Sequence, residues 1–350
     1  MKQTLRDFLC PQPKSKIKAG DGQLKGAYNF YTSSQIQSKF YHSATYTQPA
    51  LIFGTGGMAS VHYCNEPFST STDCLVMYGR LGAPLELIYY YLRSNMHLLQ
   101  DGFKGAGLQH ISKDYILNIN INMPAPSLQE QITHQMRLID AMINGKKQQI
   151  LSFDEAVKSR FVEMFGDVIH NSKKWQVCLF AEITSSRLGK MLDAKQQTGR
   201  NSYPYLANFN VQWFRFNLEN LNKMDFDEKD RAEFELREGD LLVCEGGEIG
   251  RCAVWHNELQ PCFFQKALHR VRCNHQIILP DYLAWWFRYN CDYGGFSALA
   301  GAKATIAHLP GAKLKQLQVA VPPMELQEQF AVFVAQTDKS KLFDEMEVAA

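Results

Sequence analysis

No uncharged apolar run in these 350 residues approaches the ~18 that a membrane-spanning helix needs, so no membrane partner is expected. The N-terminal stretch MKQTLRDFLCPQPKSK lacks the apolar centre of a signal peptide, and a cytoplasmic chain follows as the expectation. Nine cysteines are scattered with no C-x-x-C pair, which argues against a disulfide framework or a structural zinc and for reduced, mostly buried thiols. Enzymatic signatures are missing as well. Gly54-Thr55-Gly56-Gly57 has no lysine to reach a phosphate, and no G-x-S-x-G or H-E-x-x-H occurs. Pro322-Pro323 follows Val321, where an amino-methyltransferase needs Asp or Asn to hold its target amine. Cys252 and His256 have no further ligands beside them, so no metal site is assigned. Charge of one sign is lacking too, with 37 Lys and Arg against 35 Asp and Glu, and any polyanion would have to meet a local patch. A non-catalytic chain that binds no cofactor itself is the expectation.

What is present is a long periodic stretch from Pro124 to Gly166. Ser127 and Glu130 stand at the capping-box spacing, which predicts a helix start. Apolar residues then recur at Leu128, Ile132, Met136, Ile139, Ile143, Ile150, Phe153, Val157, Phe161 and Met164, with Lys146 at the one step where an apolar residue is expected. Such a helix would be a rod of roughly 55 Å. Gly145 in its middle costs about 1 kcal/mol against Ala and is expected to mark a bend. A long core helix and a coiled-coil face both satisfy this period.

The start of the stretch occurs twice, and this favours the coiled coil. Pro126-Ser127-Leu128-Gln129-Glu130-Gln131 returns as Pro323-Met324-Glu325-Leu326-Gln327-Glu328-Gln329, with the leucines 198 positions apart. Other segments return in the same order: Tyr28-Tyr31 as Tyr203-Leu206, Phe53-Gly57 as Val243-Gly247, the helix Leu85-Leu99 as Tyr282-Tyr289, and Gly105-Ala106 as Gly301-Ala302. The second copy is longer between the aromatic strand and the Gly-Gly loop, where Val211 to Gly239 is inserted, so a shared scaffold carries divergent loops. Candidate strands in the first copy are Tyr28-Tyr31, Ala50-Phe53, Ser60-Tyr63, Cys74-Tyr78 and Ile116-Ile121.

The expected architecture is mixed α/β: two α/β domains, 1-123 and 167-321, each followed by a helix, 124-166 and 322-350. The two helices are expected to pair as an antiparallel coiled-coil spacer about a pseudo-twofold axis, through Leu128 to Phe161 on one side and Leu326, Phe330 and Phe333 on the other. The C-terminal helix is the weaker, because its seam loses apolar residues at Thr337 and Ser340.

Residues suited to nucleic acid cluster in both domains. Lys14, Lys16 and Lys18 fall on one side of an extended run, and Lys173, Lys174, Arg187, Lys190, Lys195 and Arg200 outnumber nearby acids. Gly56-Gly57 and Gly246-Gly247, the latter followed by Arg251, allow close approach of a backbone to a partner, and a tight hairpin turn explains them equally well. Gln265, Lys266 and Arg270, near His269 and Arg272, combine amide and cationic groups that read base edges or phosphates. Tyr31 and Tyr205, at the ends of the repeated aromatic strands, complete the candidate set. A solvated surface accounts for any one of these clusters alone.

Taken with the repeat, the Pro-x-Leu-Gln-Glu-Gln helix openings, Lys158-Ser159-Arg160-Phe161 through Met164-Phe165-Gly166, and Gly239-Asp240-Leu241-Leu242 leading to Glu245-Gly246-Gly247 and Gly250-Arg251 resemble the specificity subunits of type I restriction-modification systems. The first domain departs from that pattern, with Gln48-Pro49-Ala50-Leu51 in place of the Gly-Asp-Leu-Leu run. The resemblance implies two target-recognition domains, each reading half of an interrupted site in double-stranded DNA, with the helices as a ruler. It further implies two methyltransferase subunits and restriction-translocase subunits as partners, which would bring S-adenosylmethionine, ATP and magnesium. Two alternatives stay open: a specificity subunit of a methylation-only complex, and a coiled-coil interaction protein that binds no DNA.

Overall fold

The computed structural model describes residues 3–105, 107, 109–193, 197–297 and 308–349, with side chains described through Asp344. The chain divides into two compact units, Met1–Asn144 and Gly145–Ala350.

The first unit runs β1 (Gln3–Thr4), α1 (Leu5–Phe8), β2 (Leu9–Pro11), β3 (Tyr28–Tyr31), β4 (Lys39–Tyr41), β5 (Ala50–Gly54), β6 (Val61–Cys64), β7 (Phe68–Thr70), β8 (Cys74–Gly79), α2 (Leu85–Ser94), α3 (His97–Gln100), α4 (Lys113–Leu117) and β9 (Asn120–Ile121), then enters α5 (Pro126–Phe165). Strand orders are β2-β8-β5-β6 in a four-stranded sheet, β4-β3-β7 in a three-stranded sheet, and β1-β9 as a pair. The central strand β5 is buried along its whole length because both of its faces are covered. Leu51 and Phe53 face the helices with Leu75, Met77 and Ile88, while Ala50 and Ile52 face the smaller sheet with Tyr31, Phe68 and Val76. That two-sided burial explains why Ala50-Leu51-Ile52-Phe53 reads as a continuous apolar run.

The second unit carries β10 (Gln176–Leu179), α6 (Phe180–Ile183), β11 (Thr184–Leu188), β12 (Ser202–Leu206), β13 (Val211–Gln212), β14 (Arg215–Phe216), β15 (Asn222–Asp225), α7 (Glu228–Phe234), β16 (Leu241–Cys244), β17 (Cys252–Val254), β18 (Phe263–Phe264), β19 (Leu268–Cys273), α8 (Pro280–Asp292), α9 (Gly311–Lys315), β20 (Gln318–Val321) and α10 (Met324–Ala349). Its sheets are β11-β19-β16-β17, β15-β12-β18 and β10-β20. Each matches a sheet of the first unit strand for strand, down to the parallel pairing of β3 with β7 and of β12 with β18. The additions are the hairpin β13-β14 and helix α7, both within the inserted Val211 to Gly239. The internal repeat is therefore a repeat of topology as well as of sequence.

Four boundaries differ from the sequence expectation. Ile116–Ile121 is not one strand: Ser112 caps α4 by accepting from the Tyr115 amide, which keeps Ile116 and Leu117 helical and leaves Asn120–Ile121 extended. The helix expected over Leu85–Leu99 divides at Asn95, whose side-chain amide donates to the Tyr91 carbonyl and competes with the helical ladder. Its counterpart is longer than Tyr282–Tyr289, because Pro280 occupies the first turn, where its missing N–H costs nothing. Ser127 does not cap α5 but lies within its first turn, since the helix begins at Pro126. The helix opening is instead closed by glutamine. Gln129 Nε2 donates to the Pro124 carbonyl at 3.0 Å, and Gln327 Nε2 donates to the equivalent Pro322 carbonyl at 2.8 Å.

Among the described residues no helix is long and apolar enough to cross a membrane. No group of His, Cys, Asp or Glu able to hold a metal ion occurs among them. Most of the nine cysteines are buried, and burial raises the thiols of Cys74 and Cys244 to about 11.

Candidate nucleic-acid interface and spacer helices

The two Gly-Gly loops are built alike. In the first unit the loop joins β5 to β6, and Gly57 takes φ +82°, a left-handed turn that favours glycine. Gly56 pairs with His110, the Ile111 amide donates to the Thr55 carbonyl at 3.2 Å, and His110 Nδ1 donates to the same carbonyl at 3.0 Å. In the second unit the loop joins β16 to β17, Gly247 takes φ +80°, Gly246 pairs with His308, and the Leu309 amide donates to the Glu245 carbonyl at 2.6 Å. A Cβ on Gly246 would meet the His308 ring at 3.1 Å, a tight approach that a larger residue could make only by displacing the ring. The residue two past each aromatic strand anchors the loop: Ser33 Oγ accepts from the Gly56 amide at 3.4 Å, and Asn208 Nδ2 donates to the Gly246 carbonyl at 3.1 Å. These anchors escaped the sequence reading. The signal that would have found the histidines is His110-Ile111 returning as His308-Leu309, 198 positions on, the same interval as the helix openings.

The candidate cations separate into exposed and engaged sets. Lys14, Lys16 and Lys18 are exposed, alternating with buried Ser15 and half-buried Ile17. Lys14 shares a cleft of about 700 Å³ with Thr55, His110 and Lys113, so the basic run and the first glycine loop meet there. In the second unit three of the cations are held by protein partners, Arg187 while its side chain is still 54% exposed. Arg187 pairs with Glu233, and Lys190 with Asp230 while also donating to the Asp225 carbonyl at 2.7 Å. Arg270 donates to the Glu233 carbonyl at 2.6 Å, its guanidinium lies 5.4 Å from the Phe264 ring centre, and burial lowers its pKa. Their partners sit on or beside α7 and β15. Arg251 is largely buried and donates to the Asn208 carbonyl at 3.0 Å, which makes it a strut of the loop. Arg272 pairs with buried Asp240 at 2.7 Å.

Tyr31 and Tyr205 are 7% and 5% exposed and belong to the cores, where strand alternation turns them inward as Phe68 and Phe263 close over them. Lys266 is exposed and Gln265 half-buried, as alternation on a strand end dictates. Lys173 donates to the Glu163 and Met164 carbonyls and closes the C-terminus of α5. Lys174 sits in the turn that follows at φ +58°, Arg200 is exposed, and Lys195 lies outside the described residues, as do Ala106 and Gly301-Ala302. The hairpin β13-β14 adds aromatic surface unforeseen from sequence: Phe214 stacks on Trp285 at 4.3 Å, and Phe209 stands 56% exposed next to the loop anchor Asn208.

The spacer seam is filled unevenly. Val157 and Phe161 are buried, Phe161 lying 5.5 Å from Phe330 and 5.7 Å from Tyr282 in ring contact. Ile150, Phe153, Leu326 and Phe333 are half-buried. Within the second unit α5 and α10 are antiparallel: partners fall from Phe161 to Asp154 to Lys146 on α5 as they rise from Phe330 to Lys341 to Asp344 on α10. Ile132, Met136 and Ile143 of the first unit are half-buried, whereas Leu128 and Ile139 remain 47% and 48% exposed. There the helix is held to α2 by ion pairs, Arg137 to Glu86 at 2.7 Å and Arg93 to Asp140 at 2.8 Å.

Comparison with known proteins follows the same division. The sequence profile of the type I restriction modification DNA specificity domain matches residues 3–152 and again 172–344. The specificity subunit of the type I restriction enzyme EcoDI from Escherichia coli is 24% identical over 143 residues, covering 41% of this chain and 32% of that protein. A putative type I restriction enzyme MjaX specificity subunit from Methanocaldococcus jannaschii is 24% identical over 151 residues, covering 42% of this chain and 36% of that protein. Each match spans about a third of the curated relative's length. Among solved structures, the type I restriction-modification S subunit from M. genitalium superposes with a TM-score of 0.63 at 13% identity, covering 100% of this chain and 92% of that one.

Proposed function

The chain belongs to the type I restriction-modification DNA specificity family, and on that premise we propose that it is the non-catalytic, DNA-binding specificity subunit of such a complex, reading a bipartite, interrupted site. The observation that carries this reading is the repetition of one three-sheet topology, with the added hairpin β13-β14 and helix α7 lying between the aromatic strand β12 and strand β16. Two equivalent modules with divergent loops suit two unequal half-sites. The helices that follow the modules set the number of unread base pairs between them, because only certain spacings bring two grooves to one side of the duplex. Exposed Lys14, Lys16 and Lys18 supply phosphate contacts in the first unit, and Lys266 and Arg200 in the second.

Catalysis then resides on partners. Two methyltransferase subunits would bring S-adenosylmethionine, and restriction-translocase subunits ATP and magnesium. A further solved relative, at a TM-score of 0.51 and 14% identity, comes from work on complex assembly in a type I R-M system, which fits a chain that functions inside an assembly. The test is to reconstitute the chain with its methyltransferase and map methylation of genomic DNA at single-base resolution. One bipartite motif with a fixed gap is expected. Methylation without a motif, or with a variable gap, refutes the reading. Adding or removing a whole helical turn near Gly145 should change the gap, and unchanged methylation of the original spacing would refute the ruler.

A further inference from the structure

The one polar interruption of the α5 seam, Lys146, is answered by α10. Its amine lies 2.7 Å from Asp344 Oδ1. The Asp344 side chain is only 4% exposed and that of Lys146 34%, so the pair sits inside the helix interface, and Asp344 Oδ2 has no hydrogen-bond partner among the described residues. The cost of burying a carboxylate there is only partly recovered, and a stabilising role alone is a poor explanation.

The numbering supplies a better one. Residues 146 and 344 are 198 positions apart, the interval that separates the two copies of the helix opening. They are therefore the same position of the repeat. In an antiparallel pair of repeated helices, only the position on the local twofold meets its own copy, and here that position holds one lysine and one aspartate. A second ion pair, Lys341 with Asp154 at 2.7 Å, ties α10 to α5 in the same antiparallel sense. Two copies of α5 paired with each other about this point would bring Lys146 against Lys146, and two copies of α10 would bring Asp344 against Asp344.

We propose that Lys146 and Asp344 form a pairing lock: the buried ion pair fixes the register of α5 on α10 within one chain and opposes self-pairing of either helix between chains. A polar residue at a seam position selects register and partner at the expense of stability, which is the behaviour assigned here.

The test uses the full chain with four variants. Lys146→Asp and Asp344→Lys each place like charges at the crossing point. Each is expected to lower the melting temperature by about 5 °C or more, and to speed hydrogen exchange at least tenfold over residues 337–349. The swap, Lys146→Asp with Asp344→Lys, should restore both. The apolar pair, Lys146→Met with Asp344→Leu, should melt at or above wild type, yet show a molar mass that rises with concentration in light scattering, where wild type and swap share one mass. Failure of the swap to restore exchange protection overturns the ion pair as the register contact. An apolar pair that keeps the wild-type mass at every concentration overturns the selection against self-pairing.

Discussion

The two units share a strand order and differ in what they do with charge. In the first, Lys14, Lys16 and Lys18 stand in solvent beside a glycine loop. In the second, the equivalent scaffold carries an added hairpin and α7, whose acids pair with Arg187 and Lys190. The first unit thus carries cations open to solvent, and the second carries several that are paired with acids of its own chain. The helix seam shows the reverse contrast. It is sealed in the second unit by α8 and α10, and left with Leu128 and Ile139 about half exposed in the first. One repeat thus supplies a stiff packed joint at one end and open surface at the other.

The largest effect that would break this comparison is in the seam. Phe161→Ala removes a ring packed against Phe165, Tyr282 and Phe330, and should destabilise the second unit by about 3–5 kcal/mol. Ile139→Ala, at the same seam but 48% exposed, should change stability by less than about 0.5 kcal/mol. Chemical denaturation of the two variants decides it. Equal losses would mean that the first half of the seam is covered after all.

Charge comes next. Lys16→Ala with Lys18→Ala should lower the slope of log affinity against log salt by about 2 for a duplex carrying the methylated motif. Arg187→Met with Lys190→Met should leave that slope unchanged and lower the melting temperature instead, since those cations are engaged with Glu233, Asp230 and the Asp225 carbonyl. A fall in slope for the second pair would show that the α7 ion pairs open on DNA.

Several strands of the first unit, the helix pair and the duplication were legible in the sequence, because burial on two faces leaves continuous apolar runs and a seam leaves a heptad period. Side-chain direction was not. Tyr31 and Tyr205 end aromatic strands that resemble an exposed stacking platform, and only the strand packed across each one decides that they point inward. Arg187, Lys190 and Arg270 read as a basic cluster because their partners lie about 40 residues away in sequence on α7; β11 pairing with β19 sets Arg187 beside Arg270, and α7 brings Asp230 and Glu233 to them. Lys146 was visible as a defect in the seam, and its explanation sat 198 residues further on.

Acidification gives a smaller, parallel test of the two units. Each holds a histidine whose pKa is lowered first by burial, half-buried His62 in the first unit and fully buried His269 in the second. In each, Nε2 donates to a carbonyl, Ser34 at 2.9 Å and Leu309 at 3.0 Å. The folded pKa lies below the unfolded value of about 6.5, so the unfolded chain binds the extra proton first. Stability is fully present above about pH 6.5 and is lost as pH falls from there through the folded pKa. His62→Gln and His269→Gln should each flatten part of the decline in melting temperature between about pH 6.5 and 5. A decline unaltered in both variants would place its origin in other groups.

The smallest effect concerns the point where the two units meet in sequence. Gly145 lies inside α5, which runs unbroken from Pro126 to Phe165, and a Cβ placed there meets nothing within 4 Å. Its backbone has no positive φ that would demand glycine. The residue therefore costs the helix backbone entropy without a packing return, and Gly145→Ala should stabilise the chain by about 0.5–1 kcal/mol. A glycine kept merely for tolerance would leave the methylation gap unchanged in that variant. If the added methyl instead shifts the gap or abolishes methylation while the melting temperature rises, flexibility at Gly145 is part of how the two units engage one DNA, and the comparison must include the joint as well as the domains.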